Sequence, residues 1–243
     1  MKKKAIRGLS FSMVLMLSLF SCKKDKPSTV NLGYNYFPTH VGHWVMYNVD
    51  SIYYYAFKLD TLTYQVKQVI DSIYTDNSGN PAVRIVRWKR LNKDSAWVIQ
   101  KVWHASLTAT NMVMYEDNVP YMKLIFPPKL NSTWNGNILN TNAELDYQYT
   151  SVDQPFTLNS AYFDSTSMII QDSNLNLVSH SYAMEMYARN VGLIWRKIEY
   201  LEYTTIPTVD SLALPNLIVT PTLMATVDYN SIIYTETYVS SGN

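Results

Sequence analysis

Few residues of this 243-residue chain could carry chemistry, and their spacing limits what they could do. His40 and His43 are three positions apart, in a segment that Pro38 and Gly42 bracket and that is therefore not helical. On a strand, this spacing places the two rings on opposite faces, where they cannot share one metal ion. The sequence therefore predicts no metal site.

Three acidic residues form the other candidate constellation, a carboxylate pair for general acid–base catalysis. Glu185, Glu199 and Glu202 are close in sequence, and two of them facing each other in a cleft would be typical of an envelope hydrolase. The sequence lacks a GxSxG elbow, a GxGxxG motif and a phosphate loop. We therefore expect a non-enzymatic protein without catalytic residues or a cofactor, and the carboxylate hydrolase is the alternative.

Residues 1–21 are typical of a secretory signal, with a basic start and an apolar run too short to span a membrane. Leu19-Phe20-Ser21-Cys22 resembles the bacterial lipobox, and the resemblance implies that the only cysteine, Cys22, becomes the lipidated first residue of the mature chain. Two or more acyl chains anchor a protein stably, so the predicted partner is a membrane. The chain then divides into the signal, a lipidated polar tether at 22–32 and one β-rich domain at 33–243.

The residues that follow Cys22 indicate a location. The second mature residue would be Lys23 and not the aspartate associated with inner-membrane retention, which favours the outer membrane. The tether lacks the acidic run that marks surface export, which favours the periplasmic face. Without residues 1–21 the chain has 16 basic and 19 acidic residues, a net charge of −3. This charge argues against nucleic acid as a partner, and we interpret the basic run Arg84–Arg90 as a solvated strand face.

Apolar and polar residues alternate with a period of two along most of the mature region, which is typical of strands. Trp44–Tyr55 is one predicted strand, whereas Ser181–Arg189 fits either a short helix or a strand. About ten strands joined by short turns predict a mainly β fold. We expect an antiparallel meander that forms a curved sheet, half-barrel or barrel, with at most one or two short helices.

Three motifs occur in order along the chain: FPTHVGHW at Phe37–Trp44 followed by VDSI, IFPPKL at Ile125–Leu130 followed by TW, and YARNVGLI at Tyr187–Ile194. Together they resemble a Bacteroidota-type family of outer-membrane lipoproteins, mostly of unknown function. The resemblance implies a β-rich envelope domain and no established catalytic residue. The motifs also have a structural interpretation.

We expect Gly42 and Gly192 to adopt positive φ where each precedes a strand, because glycine tolerates that conformation. We also expect Trp44 and Trp134 to fill the core beside them.

Twenty tyrosines and six tryptophans are the most unusual feature of the composition. An exposed tyrosine offers a flat apolar face with a polar tip, which suits stacking on a sugar or lining a mixed pocket. Tyrosines paired across strands, in contrast, only stabilise a sheet. We predict a binding or interaction module for a hydrophobic or glycan ligand. A concave sheet lined by Trp and Tyr would favour ligand binding, whereas a filled core and a flat polar surface would favour an interaction or structural role.

Seven of the thirteen aspartates precede Ser or Thr, where chance predicts about two. Six of these pairs, with the residue that follows them, resemble the Asp-Ser/Thr-aliphatic O-glycosylation signal of Bacteroidota secretory proteins. The resemblance implies glycans on some of the residues Ser51, Thr61, Ser72, Ser95, Ser165 and Ser211. The alternative is that the pairs close strands through side-chain-to-backbone hydrogen bonds.

Overall fold

The structure of the protein, a computed structural model, describes residues 31–55, 58–176, 179–202 and 231–243. Over these ranges the chain forms a 3₁₀ turn at Tyr34–Tyr36 and twelve strands. The strands are β1 (Trp44–Tyr55), β2 (Lys58–Thr75), β3 (Pro81–Arg90), β4 (Val98–Leu107), β5 (Asn111–Glu116), β6 (Val119–Ile125), β7 (Thr133–Asn135), β8 (Asp146–Leu158), β9 (Ala161–Leu175), β10 (Ser179–Ala188), β11 (Gly192–Glu202) and β12 (Ile232–Gly242). No helix among the described residues has the length and apolarity to cross a membrane.

The strands of these described ranges form one antiparallel sheet, in the order β6-β5-β4-β3-β2-β1-β12-β11-β10-β9-β8-β7. Consecutive strands are neighbours in both halves of the chain, so each half is a meander, and the pairing of β1 with β12 joins the halves. The predicted mainly β meander is confirmed. The sheet has twelve strands where the sequence predicted about ten, partly because the three-residue strand β7 is too short to show alternation.

The two edge strands, β6 and β7, come together and nearly close the sheet into a barrel. The Met122 N–H donates to the Gly136 carbonyl (2.9 Å), and the Trp134 indole N–H donates to the Met122 carbonyl (2.7 Å). These bonds satisfy backbone groups that an open edge would expose. Position 136 requires glycine, because a side chain there would collide with the ring of Tyr147 on β8.

Alternation along the strands divides the side chains between the interior of the barrel and its outer face. On β1, Val45, Tyr47 and Val49 are buried in the main apolar cluster, while Asn48 and Asp50 are exposed. Strands β2–β6 and β8–β11 contribute further side chains to the same cluster. The interior is therefore a packed core.

The segment before β1 lies across one end of the barrel. Tyr36 and Phe37 are buried in the main cluster. The Tyr34 hydroxyl donates to the Ala109 carbonyl (2.9 Å), and its ring packs edge-on against Phe126 at 5.1 Å between centroids. Ala109 lies between β4 and β5, and Phe126 follows β6, so these contacts bind the segment to two loops at one end of the barrel.

The tip of the β8–β9 hairpin folds over the sheet. Phe156 stacks on Trp195 of β11 (6.3 Å between centroids), and Phe163 packs edge-on against Tyr238 of β12 (5.1 Å). Since β9 pairs directly only with β8 and β10, these contacts require the hairpin to bend back across β10. Three register shifts between β8 and β9 supply the bend. The result is a second, smaller apolar cluster.

The local predictions have mixed outcomes. Gly42 (φ +92°) and Gly192 (φ +95°) adopt the expected positive φ. The segment Ser181–Arg189 is strand for most of its length, within β10, so its helical alternative is wrong.

The two tryptophans differ in position. Trp44 does not fill the core: its neighbour Val45 faces inward, so Trp44 is half-buried on the other face, with Lys67 Nζ 4.4 Å from the centre of its ring. Trp134 packs against the main cluster from a half-buried position.

Candidate functional site: an ionic lumen and an outer groove

Charged side chains meet inside the barrel and form what we call the ionic lumen. It contains three basic and three acidic residues: Arg87, Lys123, Arg196, Glu116, Glu185 and Glu236. Strand register places three of them in one line, because Arg196 of β11 is directly opposite both Glu185 of β10 and Glu236 of β12. Opposite residues of paired strands project to the same face of a sheet, so this acid–base–acid line follows from the pairing alone.

Closure of the sheet brings charges from β5 and β6 against this line. Lys123 Nζ lies 2.9 Å from Glu185 Oε1 and 3.4 Å from Glu116 Oε1. Arg196 Nη2 lies 2.7 Å from both Glu116 Oε1 and Glu185 Oε1. Two cations therefore share two carboxylates, and the contacts join the opposite sides of the barrel.

Arg87 of β3 occupies the other end of the ionic lumen. It forms an ion pair with Glu236 and donates to Gln68 Oε1. Its guanidinium carbon lies 4.1 Å from the centre of the Trp103 ring, where a cation is attracted to the π-electrons. The Tyr234 hydroxyl donates to the same Glu236 oxygen (2.6 Å). Arg87 and Glu236 are both buried, so these partners replace part of the water that each charge lost on folding, while Arg87 Nε and Glu236 Oε2 have no hydrogen-bond partner among the described residues.

The cations keep the buried carboxylates ionised. Burial by itself raises the pKa of Glu185, but the attraction of Lys123 and Arg196 outweighs it and lowers the pKa from 4.5 to about 2. Burial also opposes ionisation of Glu236, and the attraction of Arg87 and Arg196 again leaves its pKa below the ordinary value. These two glutamates therefore carry no proton to donate at neutral pH.

The three acids of the hydrolase alternative do not face one another in the sheet. A two-carboxylate mechanism needs one protonated carboxyl with a raised pKa, whereas the pKa of Glu185 is lowered. Glu199 lies on the opposite face of the sheet from Glu185, because it is three residues beyond Arg196, the partner of Glu185. Glu202 lies six residues beyond Arg196 on the same strand, about 20 Å away.

Little space remains inside the described part of the barrel. A cavity of about 40 Å³ lies beside Arg196, below the segment that crosses the barrel end, and Phe37, His43, Tyr47 and Tyr187 contribute to its walls. This volume has room for a few water molecules, whereas small-molecule pockets measure about 300–1,000 Å³. The interior is thus a filled core, which is one of the two features expected of an interaction or structural role; the other is a flat polar surface.

A larger concavity, which we call the outer groove, lies on the outside of β2–β5. Its volume is about 410 Å³, and Tyr74, His104 and Tyr115 contribute its aromatic rings. His104 of β4 is directly opposite Tyr115 of β5, so both project outward together. Tyr74 reaches over the small residue Ala82 of β3, and its hydroxyl lies 2.9 Å from His104 Nδ1. The three rings therefore form one contiguous aromatic wall.

A tight turn between β2 and β3 forms one end of the outer groove. Asp76 Oδ1 accepts the N–H groups of Ser78 (2.9 Å) and Asn80 (2.8 Å), and Asp76 Oδ2 accepts the hydroxyl of Ser106 (3.0 Å). The backbone bond from Asn80 is the main reason that the pKa of Asp76 lies below its usual range. The carboxylate is thus committed to holding the turn, and none of the described residues that line the groove is a lysine or an arginine.

His40 and His43 meet, contrary to the prediction that they lie on opposite faces. Their ring centroids are 4.9 Å apart, and Asn243 Oδ1 lies 2.6 Å from His40 Nε2 and 3.2 Å from His43 Nδ1. The prediction was wrong because both residues precede β1, where the parity of a strand does not apply. Within the described ranges, no group of three or more His, Cys, Asp or Glu side chains is arranged to hold a metal ion.

Sequence reasoning missed most of the ionic lumen. Arg84 at the start of the basic run is exposed and pairs with Asp71, as a solvated face requires. Arg87 in the same run is buried, so its interpretation as solvated was wrong. Its position two residues after the buried Ile85 was the available signal, because alternate residues of a strand share a face.

The structure separates the predicted glycosylation sites by accessibility. Ser51 is fully buried on β1, so its hydroxyl has no room for a glycan in the folded protein. Thr61 is exposed, while Ser72, Ser95 and Ser165 are half-buried. The remaining candidate Ser211 and the predicted lipidation site Cys22 lie outside the described residues.

Comparisons with known proteins give little more. No family model matches the chain, and no curated protein matches it. Among solved structures, the chain is similar to a Bacteroides fragilis NCTC 9343 protein described as exported and as having a YmcC-like fold. The TM-score is 0.44 at 11% sequence identity, over 85% of this chain and 98% of that chain.

Neutralising Glu185 should destabilise the protein strongly. The substitution Glu185→Gln leaves Lys123 and Arg196 buried with one acid fewer, and breaking a buried pair costs about 3–5 kcal/mol. Urea unfolding should show this loss in the free energy of unfolding. Glu199→Gln is the matched control. Among the described residues, its ion-pair partner is Lys197 alone (2.8 Å), and loss of this partly exposed pair should cost less than about 1 kcal/mol. Equal losses of unfolding free energy in the two variants would contradict the pairing of Glu185 with Lys123 and Arg196 in the ionic lumen.

Proposed function

We propose that the protein is a lipid-anchored domain of the bacterial cell envelope that binds a ligand non-enzymatically through the outer face of its barrel. The filled ionic lumen carries this proposal. Among the described residues, its ion pairs leave a cavity of only about 40 Å³ beside Arg196, whereas the outer groove has about 410 Å³. The lowered pKa of Glu185 also leaves that residue unable to act as the acid of a hydrolase at neutral pH.

The anchoring part of the proposal rests on the sequence. Leu19-Phe20-Ser21-Cys22 supports lipidation of Cys22, and Lys23 supports the outer membrane as the destination. A polar tether at 22–32 would then separate the acyl chains from the β-domain, on the periplasmic side of that membrane.

Cys22 should be the site of lipid attachment. An alkyne analogue of palmitate, fed to cells that express the protein, should label the wild-type protein, which should sediment with the outer membrane in a density gradient. Cys22→Ser removes the only sulfur that can accept the lipid and should abolish labelling. Protease added to intact cells should leave the protein uncut. An unlabelled wild-type protein, or a labelled variant, would contradict the assignment.

Ligand binding should protect the outer groove from solvent. We expect an envelope extract of the producing bacterium to slow hydrogen–deuterium exchange in the turn after β2 and in β4–β5, measured on protein purified in detergent. The double variant Tyr74→Ala/Tyr115→Ala should lose this protection. Tyr162→Ala, which removes a 65% exposed tyrosine of β9 outside the groove, should keep it. Protection confined to other strands, or unchanged in the double variant, would overturn the groove as the binding surface.

We also propose O-glycosylation at one or more accessible Asp-Ser/Thr sites, with Thr61 the most exposed of the described candidates. The intact mass of the protein from its native host should exceed that of the peptide plus lipid, and glycopeptides should include Thr61 but not the buried Ser51. A mass that matches peptide plus lipid alone would refute this modification.

A further inference from the structure

We infer that the outer groove binds a neutral glycan, with a sugar ring held against the aromatic wall of Tyr74, His104 and Tyr115. The inference rests on the proposed function, because it names the ligand class of that same groove. It follows from the shape of the groove, from its lack of free charge and from the kind of polar groups at its rim.

The shape suits a ligand of a few sugar units. The volume of about 410 Å³ lies within the range of about 300–1,000 Å³ that small-molecule pockets occupy. Tyr74 is 40% exposed and Tyr115 is 36% exposed, so part of each ring is open to solvent. The bond between Tyr74 and His104 and the register of His104 with Tyr115 hold the rings in place before binding. Such preorganisation lowers the entropy that a ligand must overcome.

The charges favour a neutral ligand. An anionic ligand is usually held by Arg or Lys, and neither lines the described groove. A cationic ligand that pairs with a carboxylate would find none free at the described groove, because Asp76 is occupied by Ser78, Asn80 and Ser106. The groove therefore offers no counterion for a charged group.

The rim favours a ligand with many hydroxyls over an apolar one. Asn77 and Asn118 are exposed at the two turns that flank the groove, and each amide both donates and accepts hydrogen bonds. Sugar hydroxyls also do both, so they can satisfy these amides. An apolar ligand would instead remove water from the amides without replacing its hydrogen bonds, which is unfavourable. Of the two ligand classes that the sequence left open, the groove fits the glycan.

The test uses calorimetric titration of the full protein in detergent with defined probes. The neutral probes are maltohexaose, cellohexaose, hexa-N-acetylchitohexaose and mannohexaose. A galacturonate hexamer represents acidic glycans, and decanoate represents apolar ligands. We expect at least one neutral hexasaccharide to bind and the other two classes to fail.

Variants locate the binding. Tyr115→Ala should weaken the affinity about tenfold by removing one stacking surface, whereas Tyr115→Phe, which keeps the ring, should stay within about threefold. Tyr162→Ala should bind like the wild type. The melting temperature of Tyr115→Ala, measured by circular dichroism, should match that of Tyr162→Ala. Tyr74→Phe is a second, conservative variant, which removes only the hydroxyl bond to His104.

Three results would overturn the inference: no binding of any neutral probe, binding of only the acidic or apolar probe, or unchanged affinity in Tyr115→Ala. Failure here is distinct from failure of the proposed function. Protection of the groove by the envelope extract, without binding of a neutral glycan, would keep the binding module and reject its ligand class. Loss of both would reject both.

Discussion

The pairing of six ionised side chains inside the barrel is the constraint on which the rest of the structure depends. Removing an ion pair from water costs more than its attraction returns unless each charge keeps good partners. Arg196 finds two acids on its neighbouring strands, but Lys123 reaches Glu185 and Arg87 reaches Glu236 across the interior of the barrel, from strands that do not pair with those of the acids. Closure of the barrel and pairing of the buried charges therefore depend on each other, since opening the sheet between β6 and β7 would move Lys123 away from Glu185.

The ionic lumen also determines which tyrosines are available to a ligand. Interior tyrosines satisfy polar groups: the hydroxyls of Tyr47, Tyr187 and Tyr234 donate to the Leu193 carbonyl, Glu185 and Glu236. These rings are fixed and unavailable to a ligand. Five tyrosines of the described residues are more than a third exposed: Tyr53, Tyr74, Tyr115, Tyr162 and Tyr200. Two of the five, Tyr74 and Tyr115, line the outer groove. The abundant tyrosines therefore belong mainly to the core, and a smaller number form the surface site.

Sequence periodicity predicted what is local. β1 has the predicted bounds, Trp44–Tyr55, because its alternation and flanking turn are encoded within a dozen residues. Periodicity could not say that Arg87 faces inward, because charged residues are usually solvated and its partner Glu236 is 149 residues away. The prediction that Trp44 fills the core was wrong, because a large aromatic residue can occupy either face of a strand. The ionic lumen could not be assembled without the long-range pairing of strands.

One irregularity in β2 shows why the outer groove was beyond reach of the sequence. Ile70 is buried in the core, and simple alternation would turn Tyr74, four residues later, toward the same interior. The register between β2 and β3 shifts between Ile70 and Ser72, so one extra residue reverses the parity of the strand beyond it. Tyr74 therefore pairs with Ala82 on the outer face, where its hydroxyl meets His104. Without this shift the aromatic wall would lose the ring of Tyr74. A single β-bulge in β2 therefore creates part of the surface that we propose binds the ligand.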